Sequence, residues 1–137
     1  MKLLMIYSDK FGYLPKIKNL EEYETINEGK EYNDCLVAFI HAEAEDEEKE
    51  FNAFEKKMVK NLKWAASKNN TKRVILHSFA HLSESKASAE FTKELFDKAE
   101  ARLKNADYEV FQTPFGYFLD LDLNAPGYSL ARIFKSL

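Results

Sequence analysis

A chain of 137 residues has room for one domain built around one principal core. Hydrophobic residues at 45% against 31% charged exclude a disordered polymer, and a net charge of −3 argues against a strong sequence-independent hold on nucleic acid. No apolar run approaches the ~20 residues needed to span a bilayer. Met1–Tyr7 is too short for a signal peptide, and Asp9 and Lys10 follow at once. The lone Cys35 lies in an apolar run with no cysteine to pair with. These features predict a single domain, residues 1–137, in the cytoplasm.

In chain order, Leu3–Tyr7 reads as a buried strand that Ser8-Asp9 closes. Residues 9–34 are polar and hold Gly12, Pro15 and Gly29, so they read as a loop with a strand fragment at Tyr13–Ile17. Cys35–Ile40 is a second buried strand, running into His41-Ala42. Glu43–Asn69 is the clearest helix, with Phe51, Phe54, Met58, Leu62 and Ala65 on one stripe. Its acidic start and lysine-rich later turns suit the helix macrodipole, which accounts for the acid run without a metal. Arg73–His77 is a third strand, followed by a hydroxyl-rich loop, Ser78–Lys86.

Ser85 or Ser88 can cap a second helix carrying Phe91, Leu95, Ala99 and Leu103 at one-turn steps. Tyr108–Gln112 is a strand, and Thr113–Gly116 is a turn. Tyr117–Asn124 alternates, with Tyr117, Leu119, Leu121 and Leu123 on one face and Asp120 and Asp122 on the other, solvated one. Leu130–Phe134 returns as a strand or short helix. The order predicts an α+β fold, two helices over a mixed sheet.

No phosphate-binding glycine loop, nucleophile elbow or zinc-protease motif is present. Chemistry is expected where Ser78–Ser83 meets Pro114–Leu119. The three histidines, His41, His77 and His81, lie at or just past strand ends. His41 and His77 read as hydrogen-bonded structural residues, and His81, on a serine-rich loop, as the candidate for function. No spacing among them specifies zinc, and no metal or cofactor is expected.

Four strings, in order and over essentially the whole chain, resemble the N-terminal editing domain of archaeal threonyl-tRNA synthetases. They are Leu3–Asp9, Leu36–Ile40, Ser78-Phe79-Ala80-His81-Leu82-Ser83 and Thr113-Pro114-Phe115-Gly116-Tyr117. The last two are the specific ones. The resemblance implies a D-aminoacyl-tRNA deacylase-like fold with a partial barrel. It implies a proofreading esterase that removes serine from tRNA meant for threonine, working through main-chain groups, an activated water and the tRNA's terminal ribose. A pocket that holds threonine cannot strongly reject serine, because one methyl is worth only about 1–3 kcal/mol.

On that resemblance His81 is the catalytic-site histidine. Ala42, Phe79 and Ala80 wall the amino-acid pocket, and Phe115, Gly116, Tyr117 and Phe118 form the facing turn. It also implies a homodimer and an aminoacyl-tRNA acceptor end as partner.

Two positions depart from the pattern. The family continues the turn as Tyr-Lys, where this chain has Phe118-Leu119. The family's Leu-Ala-Glu is here Leu130-Ala131-Arg132. Leu119 cannot donate a hydrogen bond, and Arg132 cannot act as a base. Arg132 and His41 are the residues that would have to compensate. Two readings stay open: a free-standing deacylase acting in trans, with a separate synthetase, or a catalytically degenerate relative that binds a tRNA end, a small ligand or a protein.

Overall fold

The computed structural model describes residues 1–137. Six strands form one mixed sheet: β1 Lys2–Lys18, β2 Lys30–His41, β3 Arg73–Ser78, β4 Glu109–Gln112, β5 Tyr117–Asn124 and β6 Arg132–Ser136. Helix α1, Phe51–Lys68, joins β2 to β3, and helix α2, Ala89–Asn105, joins β3 to β4. Short 3-10 turns occupy Ala44–Glu48 and Ser129–Ala131. The sheet order is β4-β3-β2-β1-β5, with β6 also on β1. Strands β2, β3 and β4 run parallel, as two helical crossovers require. Strand β1 is antiparallel to all its neighbours: β5 takes Lys10–Lys18 of one edge and β6 takes Lys2–Ile6.

The two faces of this sheet bury different cores. Met1, Leu3, Met5, Leu36, Ala38, Ile40, Val74 and Leu76 pack with the stripes of α1 (Phe54, Met58, Leu62, Ala65) and α2 (Leu95, Phe96, Ala99, Leu103). On the other face the sheet curls over a smaller core of Phe11, Tyr13, Cys35, Val37, Phe39 and Ile75, edged by Leu4, Ile6, Leu119 and Leu123. The α+β half-barrel with two helices is therefore as expected from the sequence.

Strand β1 is where the sequence reading falls short. Ser8-Asp9 does not end it: the chain runs on as one strand of 17 residues, and β2 starts at Lys30 rather than Cys35. Strict alternation would put Phe11 on the face of Leu3 and Met5. Instead Phe11 and Tyr13 join Leu4 and Ile6 in the inner core. The phase reverses between Ser8 and Lys10, where Asp9 and Asp34 drop out of the ladder and Asp34 takes a left-handed φ of 49°. Strand β2 reverses in step, since Tyr32 and Cys35 both face the inner core.

Ser8 locks the reversal. It is fully buried, its Oγ donates toward the carbonyls of Lys10 and Asn124, and it accepts from the Asn124 N–H at 3.2 Å.

The first helix also differs. Helix α1 begins at Phe51, capped by Glu50, whose carboxylate accepts from the N–H groups of Asn52 and Ala53. The acidic residues before it form the 3-10 turn, and two of them are not there for the macrodipole. Glu43 and Asp46 close on the buried Met1 ammonium at 2.7 Å and 3.0 Å. Asp46 also accepts from the Glu43 N–H. Ser88 is the cap of α2, accepting from the Phe91 N–H.

Replacing Ser8 by Ala leaves the Asn124 N–H and two carbonyls short of a partner. Urea denaturation is expected to record a loss of about 1–3 kcal/mol. A loss below roughly 0.5 kcal/mol, the level of an ordinary surface change, would mean that Ser8 does not hold the bend.

Candidate active site

The curl of the sheet leaves a cavity of about 370 Å³ at the C-terminal ends of β2 and β3. Ile40, His41 and Ala42 form one wall, and His77, Ser78, Phe79, Ala80 and His81 form the second. The turn from Pro114 through Leu119 closes the third side. The structure thus brings Ser78–His81 of the first segment and Pro114–Leu119 together, and every residue assigned to the site except Arg132 lines this one space.

Phe118 and Leu119 do not plug the cavity. Phe118 is 50% exposed, and Leu119 turns into the inner core. Leu121 lies on the apolar face of β5, yet it is 40% exposed and lines the cavity. Asp120 and Asp122 are exposed, as a solvated face requires.

Each wall is held by specific bonds. His41 is 1% exposed; its Nδ1 accepts from the Leu82 N–H at 2.9 Å and its Nε2 lies 2.6 Å from the Ser85 carbonyl. A carbonyl only accepts, so Nε2 carries the proton and the ring is the neutral tautomer. His41 is thereby a clip on the Ser78–Ser88 loop, with both nitrogens committed. Glu43 takes the Ser83 hydroxyl at 2.7 Å, and Ala42 takes the Ala87 N–H at 2.9 Å. The Met1 ammonium and the Ser83 hydroxyl hold the Glu43 carboxyl down at about 2.

His77 is buried, bonded through Nδ1 to the Thr113 hydroxyl at 2.9 Å, and packed edge-on against Phe39. Burial pushes its pKa down to about 4, so it stays neutral near pH 7. His81 differs from both. Its ring is exposed and rests against Phe79 at 4.9 Å between centroids, with no hydrogen bond to protein. The N–H groups of Ala80 and His81 likewise donate to no other protein group, although Phe79 N–H bonds Ile40 and Leu82 N–H bonds His41.

The facing turn depends on residues 19–26, which lie between β1 and β2 and carry no strand or helix. Gly116 has a φ of 82°, and its carbonyl accepts from Asn19 and Leu20. A Cβ at Gly116 would meet that of Leu20 at 2.9 Å, so glycine is required. Tyr117 Oη accepts from the Ile26 N–H at 2.9 Å, and Phe115 packs on Tyr23. Residues 19–26 therefore strap the turn in place, and Asn19 and Leu20 line the cavity themselves. Lys86 and Thr92 also line it without having been singled out. Arg132 does not reach it: it is exposed on β6, with its guanidinium on the Pro126 carbonyl at 2.6 Å. Arg132 therefore cannot supply the charge that the resemblance expects at Leu119, and His41 has no free nitrogen with which to do so.

An α+β half-barrel whose cavity opens between a strand-end loop and a glycine turn has the architecture of the D-aminoacyl-tRNA deacylase fold. The chain belongs to the archaea-specific editing domain family of threonyl-tRNA synthetase, whose model matches residues 1–137. Among the curated relatives is a threonine--tRNA ligase of Thermococcus kodakarensis, 32% identical over 140 residues. Those of Methanococcus maripaludis and Methanopyrus kandleri are 32% and 31% identical over 139 residues. In each case all of this chain aligns with 22% of the relative's length. In fold, the chain is similar to a solved structure titled c-Myc DNA Unwinding Element Binding Protein. The TM-score is 0.68 at 11% identity, over 100% of this chain and 99% of that one.

The low Glu43 pKa fixes the sign of a pH effect. The unfolded carboxyl takes up its proton near pH 4.5 and the folded one only near 2, so the stabilisation is complete above about pH 5 and drains away as the pH falls between those values. Glu43→Gln should therefore be less stable than the parent above pH 5, and the gap should narrow on acidification. Chemical denaturation at a series of pH values measures it. A gap independent of pH would remove Glu43 from this role.

Proposed function

We propose that the cavity hydrolyses the ester of a mischarged aminoacyl-tRNA, Ser-tRNA(Thr), supplied in trans. The observation that carries this reading is the open cavity lined by Ala80 and His81, whose main-chain N–H groups and imidazole make no hydrogen bond to protein. Ester hydrolysis needs an attacking water, donors for the oxygen that becomes negative, and a proton path to the leaving ribose oxygen. Successive N–H groups of Ala80 and His81 suit the developing oxyanion, because fixed dipoles require no reorganisation as charge builds. His81 is the lining imidazole whose nitrogens are not engaged, so it orients the water or the terminal ribose hydroxyl. No carboxylate lines the cavity, which fits a reaction in which the substrate's own ribose takes part. Ala42, Phe79 and Ala80 form the wall against which the extra methyl of threonine would be excluded.

A second reading rests on Leu119. With no hydrogen-bonding side chain there and no acid in the cavity, a domain that holds the acceptor end without cleaving it keeps the same walls. In either reading the homodimer expectation has a place to act: β6 leaves one edge unpaired, and Phe134 beside it is 54% exposed.

Purified protein incubated with Ser-tRNA(Thr), with Thr-tRNA(Thr) and buffer as controls, tests the proposal. Selective loss of serine is expected, reduced by His81→Ala roughly a hundredfold, the lower end for a positioned proton-transfer group. No hydrolysis above buffer by folded protein would sink the esterase reading and leave the binding module.

A further inference from the structure

The cavity has an unusual charge inventory. Of the residues that line it, Lys86 alone carries a permanent charge, and there is no Asp or Glu among them. Lys86 belongs to no ion pair. The carboxylates nearest its loop are engaged elsewhere: Glu43 with Met1 and Ser83, and Glu47 with the N–H of Ser88. Glu84 and Glu90, its sequence neighbours, are exposed and do not line the cavity. The backbone that carries Lys86 is fixed on both sides, by Ser85 on His41 and by Ala87 on Ala42. Its own side chain is exposed. An anchored stem with a free ammonium at the mouth of an acid-free cavity is a site for an anion.

The chemistry of the ligand says which anion. An aminoacyl ester has no free carboxylate, and its α-amine is neutral or cationic near pH 7 and never anionic, so the amino-acid end gives Lys86 no partner. The nucleotide end carries phosphodiesters. We infer that Lys86 is a positioning residue that holds a phosphodiester of the single-stranded 3′ end. It thereby points the ester away from itself, toward Phe79, Ala80 and His81. This inference rests on the proposed reading of the cavity as an aminoacyl-tRNA site.

Two measurements test it. The first is fluorescence anisotropy of a labelled RNA hairpin with an unpaired 3′-CCA end, titrated with the parent protein, Lys86→Gln, Lys86→Arg and Lys60→Gln. Lys60, exposed on α1 and away from the cavity, is the control. Lys86→Gln is expected to weaken binding roughly tenfold, the worth of one charge-assisted contact. The slope of log affinity against log salt should fall by about 0.7, as for one phosphate on a single strand. Lys86→Arg should restore most of both, and Lys60→Gln should change neither.

The second is steady-state hydrolysis of Ser-tRNA(Thr), where Lys86→Gln should raise KM and leave kcat within about twofold. Equal binding and equal salt slopes for parent and Lys86→Gln would overturn the assignment of Lys86 alone. A fall in kcat at unchanged KM would also overturn it, in favour of a direct role at the ester. Failure of the parent to bind the hairpin would overturn the reading of the cavity and this inference together.

Discussion

The structure depends on one strand serving two cores. A β-strand presents alternate residues to opposite faces, so a strand with a fixed phase can feed only one core per face. Strand β1 feeds the helix-side core from Leu3 and Met5, then reverses at Ser8–Lys10 and feeds the inner core from Phe11 and Tyr13. Without the reversal, Phe11 and Tyr13 would point out of the curl, at roughly 1.5–3 kcal/mol for each large side chain left unburied. The same bend divides one edge of β1 between β6 and β5, which folds the sheet into a half-barrel. The cavity is what remains open where that curl ends.

The site is built from the outside inward. The helix-side core fixes β2 and β3; their ends fix His41 and His77; His41 fixes the loop that presents Ala80 and His81. Glu43 repeats the logic electrostatically, joining the Met1 ammonium to the Ser83 hydroxyl. Residues that serve as clips are buried and bonded twice. The His81 ring and the N–H groups of Ala80 and His81, by contrast, make no hydrogen bond to protein.

Much of this was legible in the chain. The helical stripes and the buried runs of β2 and β3 follow from period alone, and β5 appeared with its observed bounds because its alternation is unbroken. The meeting of the Phe79-Ala80-His81 loop with the Pro114–Tyr117 turn was expected, and the cavity lies there. The continuity of β1 was not legible, because a phase reversal looks like an ending when only alternation is read. The helix start was misplaced for a similar reason: Glu43 and Asp46 have good helical company in sequence, but their partner is the Met1 ammonium, far away along the chain. The strap of residues 19–26 left little signal, since its hydrogen bonds to the turn come from the main-chain N–H groups of Asn19, Leu20 and Ile26, which any residue but proline supplies. Nothing in the sequence spacing shows that the Arg132 guanidinium turns to the Pro126 carbonyl, outside the cavity.

The strap has a consequence for how the molecule comes into being. Most of the helix-side core comes from β2, α1, β3 and α2, which are neighbours along the chain and can gather early, while β1 adds Met1, Leu3 and Met5 and β4 adds Val110. The cavity needs Asn19 and Leu20 to close on Gly116, and β1 to receive β5 and β6, all across large sequence separations. Those contacts carry the loop-closure cost and come last. During synthesis the cavity is therefore incomplete until β5 and β6 emerge. In the finished protein, the strap and turn are the part expected to open first, through local fluctuations that leave the helices in place.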